Sequence, residues 1–501
     1  MGGERAAVSA RVALGMTLFV AFAAGFGVMM LEMLGGRLMT PFFGTSVYQW
    51  GATIGVVLTA LSVGYWWGGR LGDGPHAGQS LLAALLVAAL WAALTPRLLT
   101  PLLWGLRPLG PIVGALAGSM LVLAVPAGCL AMASPICARA VFDDLGKAAT
   151  AAGLAYAWGS IGSIGGTAVA SFVMVPLAGL AWSYTAATAV IAIAATLQAL
   201  RLRRYDLVVG AAGILGLSLL LTAFPDQRPA SVVHDTESPY GRVTVVDQGD
   251  LRFLFASDID HYQTAMRRDD GGALTLRYHD MLLAAPVLAG RPAPRVLMLG
   301  VGGGTSLRQI AANWPDAALV GVDIDPEILD VARTLFGLST LTNLRLAERD
   351  ARLWVEQDAA IYDVILVDLY RGGQMPFHVG TAEFFQAVAR RLAPGGVVMA
   401  NVLDHDFPAL TGALVATART AFPTVLLADA LTGRNKALVA FREAVTLDEV
   451  RRRLSETAAP PDAAGVAAEV AETVREWDSR SFPVLTDDWS DGEFRGSVAV
   501  N

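Results

Sequence analysis

Three aspartates, Asp323, Asp350 and Asp368, follow a glycine-rich run, Gly300-Val301-Gly302-Gly303-Gly304. Each closes an apolar stretch (ALVGVD, LRLAERD, YDVILVD), so each stands at the end of a candidate strand. Missing Cβ atoms at Gly300, Gly302, Gly303 and Gly304 let backbone approach a ligand. A carboxylate about 20 residues past such a loop can accept from both hydroxyls of a ribose, the place of Asp323. Asp350 could accept from an adenine amino group, and Asp368 points into the same crevice. The loop alone fits NAD, FAD and S-adenosylmethionine alike. A lone strand-end Asp is more often a helix cap or turn former. Three in succession behind one glycine loop favour a cofactor crevice.

Between Arg295 and Leu403 strand-like and helix-like segments alternate: RVLMLG, TSLRQIAANW, ALVGVDI, PEILDVARTLF, LRLAERD, YDVILVDLY, TAEFFQAVARRLA, GVVMANVL. This predicts a parallel sheet covered on both faces, with its ligand at the strand C-termini beside the switch in strand order. Ahead of it, SPYGRVTVVD and LRFLFASD read as two antiparallel strands joined at Gln248-Gly249-Asp250. LRYHDMLLAAPVLA, which follows, reads as helix.

The 501 residues are 54% hydrophobic, with mean hydropathy +0.50, too apolar for an ordinary soluble enzyme. Runs long enough to cross ~30 Å of hydrocarbon occur near 12–34, 50–69, 80–96, 111–132, 151–178, 182–200 and 206–224. The first has too long a core for a signal peptide and no small-x-small site after it, so it reads as a retained span. The Pro-broken segment 98–110 is an interfacial or re-entrant piece, or part of an eighth span. Gly162 and Gly166, at G-x-x-x-G spacing, suit close helix packing. Glu32 and Arg37 form a boundary pair or an intramembrane functional pair. The expected fold is an α-helical transmembrane bundle of seven to eight spans (1–229), a small β-hairpin domain (230–264) and an α/β Rossmann-like catalytic domain (265–501).

Residues 1–229 carry 12 Lys/Arg and 7 Asp/Glu, and the rest 25 and 37, a net of −12. So acidic a half excludes nucleic acid as a partner, because phosphate binding needs a basic footprint. Cys129 and Cys137, in or beside an apolar segment, imply neither a disulfide framework nor a metal site. With seven spans, the positive-inside rule puts the N terminus in the cytoplasm and residues 230–501 outside. The cytoplasmic origin of an adenosyl cofactor argues the reverse. The expectation is a multi-pass protein of a bacterial inner membrane with a cytoplasmic catalytic domain.

About residues 232–405 resemble the spermidine synthases, or polyamine aminopropyltransferases. A hairpin domain, Tyr278-His279-Asp280 in place of their YHE, the glycine loop, VDID, the Asp350 turn and YDVILVD stand in the family's order. Leu31-Glu32, PFFG at 41–44, GGRLGD at 68–73 and LTDDW at 485–489 resemble the integral-membrane fused members. The resemblance implies Asp323 on the ribose, Asp350 on the adenine and the loop glycines against the donor. It implies Asp368 as general base, with Tyr240, Gln263, Tyr278, His279, Tyr370 and Arg371 around the substrate. The donor would be S-adenosylmethionine or its decarboxylated form, released as methylthioadenosine. The acceptor would be a small amine or amino-acid-like molecule. No metal is expected. The lipid bilayer and a second copy of the chain, as a homodimer, are the candidate partners. An attacking amine has a pKa near that of lysine, about 10, and a carboxylate at Asp368 can orient it and take its proton.

Departures from the family bear on the substrate. Its loop reads GGGDGG, with an Asp that pairs with the aminopropyl ammonium, and here that position is Gly303. Its DSSDP run holds the diamine's far ammonium with a second Asp, whereas this chain has Asp368-Leu369-Tyr370-Arg371; its Tyr-Gln is Tyr240-Gly241. Like charges ~4 Å apart cost several kcal/mol at an effective dielectric near 20. Arg371 would therefore repel a dicationic diamine and welcome a carboxylate, unless it points to solvent. Intact S-adenosylmethionine thus becomes an eligible donor. Its own carboxylate or amine could attack its γ-carbon, making the enzyme a cyclase or lyase. A methyltransferase shares this fold and loop. The non-enzymatic alternative is a transporter with a nucleotide-sensing domain. Asp487 and Asp488 contact the site or cap a turn.

Overall fold

The computed structural model describes residues 2–44, 47–224, 230–256, 262–268, 274–275, 278–370, 375–403, 408–430 and 435–489. The chain forms two compact units, Met1–Gln227 and Arg228–Asn501.

Among the described residues, six apolar helical stretches in the first unit are long enough to cross a membrane: Arg11–Phe43, Val47–Gly72, Ala77–Leu109, Ile112–Asp143, Ala148–Arg201 and Tyr205–Ala223. The fifth has 54 residues and would reach about 81 Å as one straight helix. It doubles back instead at Gly179, where φ is 75° and ψ 179°, a conformation open to glycine. Contacts on either side give the directions. Before the bend, Gly162 lies against Phe22 and Gly166 against Phe26, so this pass runs parallel to the first. After it, Ile191 packs on Gly27 and Arg201 donates to Thr17 Oγ1 at 2.6 Å, so the direction is reversed.

Leu123 on Gly35 and Leu130 on Gly27 set the fourth stretch antiparallel to the first, and Gly64 on Gly128 with Gly68 on Met132 set it parallel to the second. Gly78 at the start of the third stretch lies against Gln198 and Leu202 at the end of the sixth pass. Arg97, late in the third stretch, donates to the carbonyls of Leu221 and Phe224, where the last helix ends. The bundle is thus traversed seven times in alternating directions. The chain enters it at one end and leaves at the other.

In the second unit the hairpin expected between 230 and 264 is the middle of a larger sheet. Strands β1 (Val232–Glu237), β2 (Arg242–Gln248), β3 (Leu251–Ala256) and β4 (Thr264–Arg267) form an antiparallel meander in that order. The Gln248-Gly249-Asp250 turn links β2 to β3, as the alternation suggested. The outer strands escaped notice because β1 carries the polar run His234-Asp235-Thr236-Glu237 and β4 is four residues long. Val243, Val245, Leu254 and Met266 on one face pack against Ile328, Val331 and Phe336.

The remaining strands are β5 (Arg295–Leu299), β6 (Ala318–Asp323), β7 (Leu344–Glu348), β8 (Tyr362–Val367), β9 (Leu392–Leu403), β10 (Thr424–Asp429) and β11 (Asn435–Phe441). They form one sheet in the order β10-β11-β9-β8-β5-β6-β7. The five strands β9-β8-β5-β6-β7 are parallel, and β11 and β10 close one edge antiparallel. Alternate residues serve opposite faces: Val296, Met298, Leu366 and Met399 join one core, and Leu297, Leu299, Ile365 and Val398 the other. This two-sided burial is why the strands read as unbroken apolar runs. The chain moves outward from β5 to β7 and then returns to β8 on the other side, so a crevice opens at the β5 tip.

A Cβ at Gly162 would stand 2.0 Å from the Phe22 carbonyl oxygen, whereas one at Gly165 would be 3.6 Å from the Phe26 ring. Gly162→Ala should therefore lower the thermal midpoint of detergent-purified protein by an amount corresponding to about 1–3 kcal/mol. Gly165→Ala should leave it unchanged, and equal effects would refute the helix contact.

Candidate active site

The tips of β5, β6 and β8 meet through backbone. Gly300 follows β5 with φ 86°, and a Cβ there would lie 2.0 Å from the Asp368 carbonyl oxygen. A side chain would push the β8 tip away. The Asp368 amide donates to Leu299 O at 2.8 Å. From the end of β6, Asp323 Oδ2 accepts from the amides of Val301 (2.9 Å) and Gly302 (3.2 Å), and Oδ1 from that of Asp325 (3.1 Å). The Gly303 amide donates to Thr264 Oγ1 at 2.8 Å, and that of Gly304 to Val301 O at 2.8 Å. Four successive loop amides are thus engaged within the protein. A pyrophosphate cradle needs such amides aimed at the ligand, and a carboxylate in their midst repels phosphate. Of the three cofactors open to a glycine loop, the geometry suits the one without phosphates.

A cavity of about 500 Å³ opens above these tips, lined by Gly300, Gly302, Asp323, Asp325, Asp350 and Asp368, and by Tyr240, Gln263, Tyr278, His279 and Tyr370 among others. No Lys or Arg is among its described lining residues, so its field favours cations. Asp368 Oδ1 accepts from Asn401 Nδ2 at 2.8 Å, and Oδ2 lies 3.3 Å from the Tyr278 hydroxyl. Loss of bulk water pushes the Asp368 carboxyl up to about 6; the Asn401 and Tyr278 hydrogen bonds oppose this and the Asp323 charge adds to it. Asp323 is likewise pushed up to about 6 by burial, against its three backbone amides. Tyr278 is held well above the ordinary phenol range by burial and then by the Asp368 charge. Its ring stacks on His279 with centroids 4.1 Å apart.

The other expected residues fall in three groups. Tyr240, Gln263 and Tyr370 line the cavity; Gln263 Nε2 donates to Tyr370 O at 3.2 Å, and the Tyr240 amide to Ser238 Oγ at 3.0 Å. Gly303 and Gly304 shape the loop without lining it: a Cβ at Gly303 would meet the Phe336 ring at 2.7 Å and the Thr264 methyl at 2.8 Å. Asp350 lines the cavity and also caps helix Ala351–Gln357, accepting from the Leu353 amide at 3.0 Å. His378 Nε2, 3.4 Å away, holds its carboxyl below the usual range. Arg371 lies outside the described residues.

Several participants were not anticipated. Ser238 Oγ donates to Asp325 Oδ2 at 2.5 Å, tying the meander to the tip of β6. Asn401, near the end of β9, donates to Asp368, and Asn435, at the start of β11, donates to Asn401. A lone amide in GVVMANVL was the available signal. Arg352 forms a bidentate pair with Asp487 and donates to His378 O at 3.0 Å, so the LTDDW segment braces the Asp350 corner.

A family model described as a methyltransferase domain matches residues 296–396, which are β5 to the middle of β9. A probable polyamine aminopropyl transferase of Bifidobacterium longum is 30% identical over 289 residues, covering 54% of this chain and 64% of that protein. The polyamine aminopropyltransferase of Chromobacterium violaceum is 30% identical over 220 residues, 43% of this chain and 82% of that one. The chain belongs to the polyamine aminopropyltransferase family. It spans just under two thirds of the Bifidobacterium relative. Polyamine aminopropyltransferase 2 of Ralstonia nicotianae, 24% identical, matches 78% of this chain and 79% of its own. A match that wide has to extend into the helical unit, because residues 228–501 are barely more than half of the chain.

Within this family the glycine at 303 is enforced by its surroundings, since Phe336 is fully buried beside it. Gly303→Asp should therefore destabilise the protein by about 1–3 kcal/mol. In denaturant titrations the double variant Gly303→Asp/Phe336→Ala should be more stable than the two single losses add up to. Additive losses would show that Phe336 does not exclude the acid.

Proposed function

We propose that the chain is an integral-membrane enzyme of aminopropyltransferase type. It cleaves S-adenosylmethionine or its decarboxylated form, passes the alkylamine to an amine and releases methylthioadenosine. The observation that carries this reading is Asp323 and Asp368 in one cation-favouring cavity whose glycine loop offers no amide to a phosphate. Family membership supports it.

Asp323 takes the ribose hydroxyls. Asp350 uses two of about four acceptor sites on the Leu353 amide and His378, leaving capacity for an adenine amino group. Tyr240, Gln263, Tyr278, His279 and Tyr370 wall the remaining space. The donor supplies a carbon bonded to positive sulfur. The amine lone pair forms the C–N bond as the C–S pair returns to sulfur, which leaves as a neutral thioether. The proton released from the amine goes to Asp368. A carboxylate titrating near 6 is largely ionised at neutral pH yet basic enough to help. Holding both partners in line supplies much of the remaining acceleration.

The packing at Gly303 favours a second reading on the same machinery. With Phe336 and Thr264 where the family's acid would stand, no carboxylate at that position pairs with an ammonium tail. Intact S-adenosylmethionine, whose tail carries its own carboxylate, suits that vacancy of charge, with transfer to an amine or closure on itself.

In a membrane, seven alternating passes leave the N terminus and Ala223 on opposite faces. The N-terminal face carries Arg11, Arg70, Arg139, Lys147, Arg201, Arg203 and Arg204, which the positive-inside rule makes cytoplasmic. A donor made in the cytoplasm requires residues 230–501 there instead. Seven passes cannot satisfy both, and this proposal follows the donor.

Purified protein given each donor should release methylthioadenosine when putrescine is present and not when it is absent. Asp368→Asn should slow release by roughly 10²–10⁴-fold. Wild-type kcat/KM for the donor should fall as pH drops through about 6, because the base is lost on protonation. Release from the intact donor without any amine would select the cyclase. S-adenosylhomocysteine would replace the reading by a methyltransferase, and no nucleoside product from either donor would sink it. Reporter fusions at the two termini should mark opposite sides, with the C terminus cytoplasmic. Same-side signals would require an eighth crossing, and an external C terminus would overturn the placement.

A further inference from the structure

Strand β9 is apolar and buried from Val397 to Val402 except at Asn401, which is 3% exposed. A buried amide costs free energy unless its polar ends are bonded, and both ends of this one are. Its Nδ2 donates to Asp368 Oδ1 at 2.8 Å, and its Oδ1 accepts from Asn435 Nδ2 at 2.8 Å. Asn435 opens β11, antiparallel to β9. Asn401 pairs with Ala437, so Asn435 lies two residues along on the same face. Both amides ride on the sheet, where their placement is firmer than on a loop.

The two ends of an asparagine amide are alike in shape and opposite in polarity. Turned over, Asn401 would set its oxygen against Asp368, acceptor facing acceptor. The Asp368 carboxylate, an acceptor only, holds the N–H end of Asn401, and the Asn435 N–H caps its oxygen end and reinforces that polarity. We propose that Asn435 and Asn401 are positioning residues for the reaction: Asn435 reinforces the polarity of Asn401, and Asn401 holds Oδ1 of Asp368, so that Oδ2 alone takes the proton of the attacking amine.

The inference rests on Asp368 being the base. Oδ2 has a suitable neighbour. The Tyr278 hydroxyl has one proton and a nearer acceptor in the Gln263 carbonyl, 2.7 Å against 3.3 Å. That proton can be shared with the carboxylate while Asp368 is ionised; once the carboxyl is protonated it goes to Gln263 and the phenol oxygen accepts from Oδ2. Among the described residues, Asp323 from β6 and Tyr278 from the turn at Tyr278–Leu283 are the ionisable groups acting on Asp368, and Tyr262, His279 and Tyr370 line the same cavity. Among the described residues Asn401 is the one hydrogen-bond donor to Oδ1.

The test uses the full chain in detergent, with Asn435→Ala, Asn435→Asp and Asn401→Leu beside Asp368→Asn. Asn435→Ala should lower kcat roughly tenfold with the donor KM unchanged, and Asn401→Leu should lower it further. Both should move the acid limb of the kcat profile to higher pH, since losing an N–H disfavours the carboxylate. Asn435→Asp keeps the shape but accepts instead of donating. It should turn Asn401 over and shift the limb further than Asn435→Ala does. A purely structural role would lower the thermal midpoint and leave the limb in place, which would overturn the relay. If Asp368→Asn is inactive while the asparagine variants keep the wild-type profile, the relay fails and the base stands. If Asp368→Asn stays active, the base reading fails and the relay with it.

Discussion

The carboxylate of Asp323, bound to the amides of Val301 and Gly302, is the contact on which the site depends. It joins the tip of β6 to the loop after β5, and it turns that loop's donors inward. With those donors turned inward the glycine loop offers no amide to a phosphate, a constraint set before any ligand arrives. The close approach of the Asp368 carbonyl to Gly300 brings the third strand tip to the same point. Two carboxylates then share one cavity, and each is pushed up to about 6 because neither can be fully hydrated there. A cationic ligand relieves that penalty. The same arrangement therefore favours positive charge and keeps both carboxyls pushed up.

The meander β1–β4 completes the cavity wall, and its attachment uses residues with two duties each. Asp325 caps helix Pro326–Thr334 through the Glu327 amide while accepting from Ser238. Thr264 accepts from Gly303 and presents its methyl to the space beside it. Thr305 Oγ1 donates to Ala265 O at 2.7 Å, and His234 reaches Glu327 at 2.9 Å. These links bind the β6 tip, the glycine loop and β4 into one block. Loosening the meander would free the Gly303 amide as well as open the wall.

Legibility in the sequence followed the strength of the local pattern. The parallel strands were readable because burial on both faces makes them continuous apolar runs, and the three aspartates because they close those runs. The β2–β3 turn was readable from Gly249, whereas β1 was masked by its polar residues. Asp350 shows the limit of the argument from position, since capping and lining are compatible and residue type alone cannot rank them. Asn401 and Asn435 bond to each other from positions 34 apart, and only the antiparallel register of β9 and β11 brings them together. The bend at Gly179 was legible as a gap between two apolar runs, while the direction of the chain across it needed the contacts of Gly162 and Arg201.

The neutral corner at Gly303 bears on how the family's chemistry is run here. A decarboxylated donor carries two positive charges, on sulfur and on nitrogen, and an acid beside the tail would answer the second. In this chain the Phe336 ring and the Thr264 methyl fill that place, so no counter-charge stands there. In the proposed reaction Asp368 cannot serve both tail and acceptor, because each cation it neutralises lowers its proton affinity and weakens it as a base. A tail bearing its own carboxylate removes the conflict, since the sulfur charge is then the one left for the protein to balance. In the proposed reaction Asp323 stays on the ribose and Asp368 keeps its proton affinity for the amine.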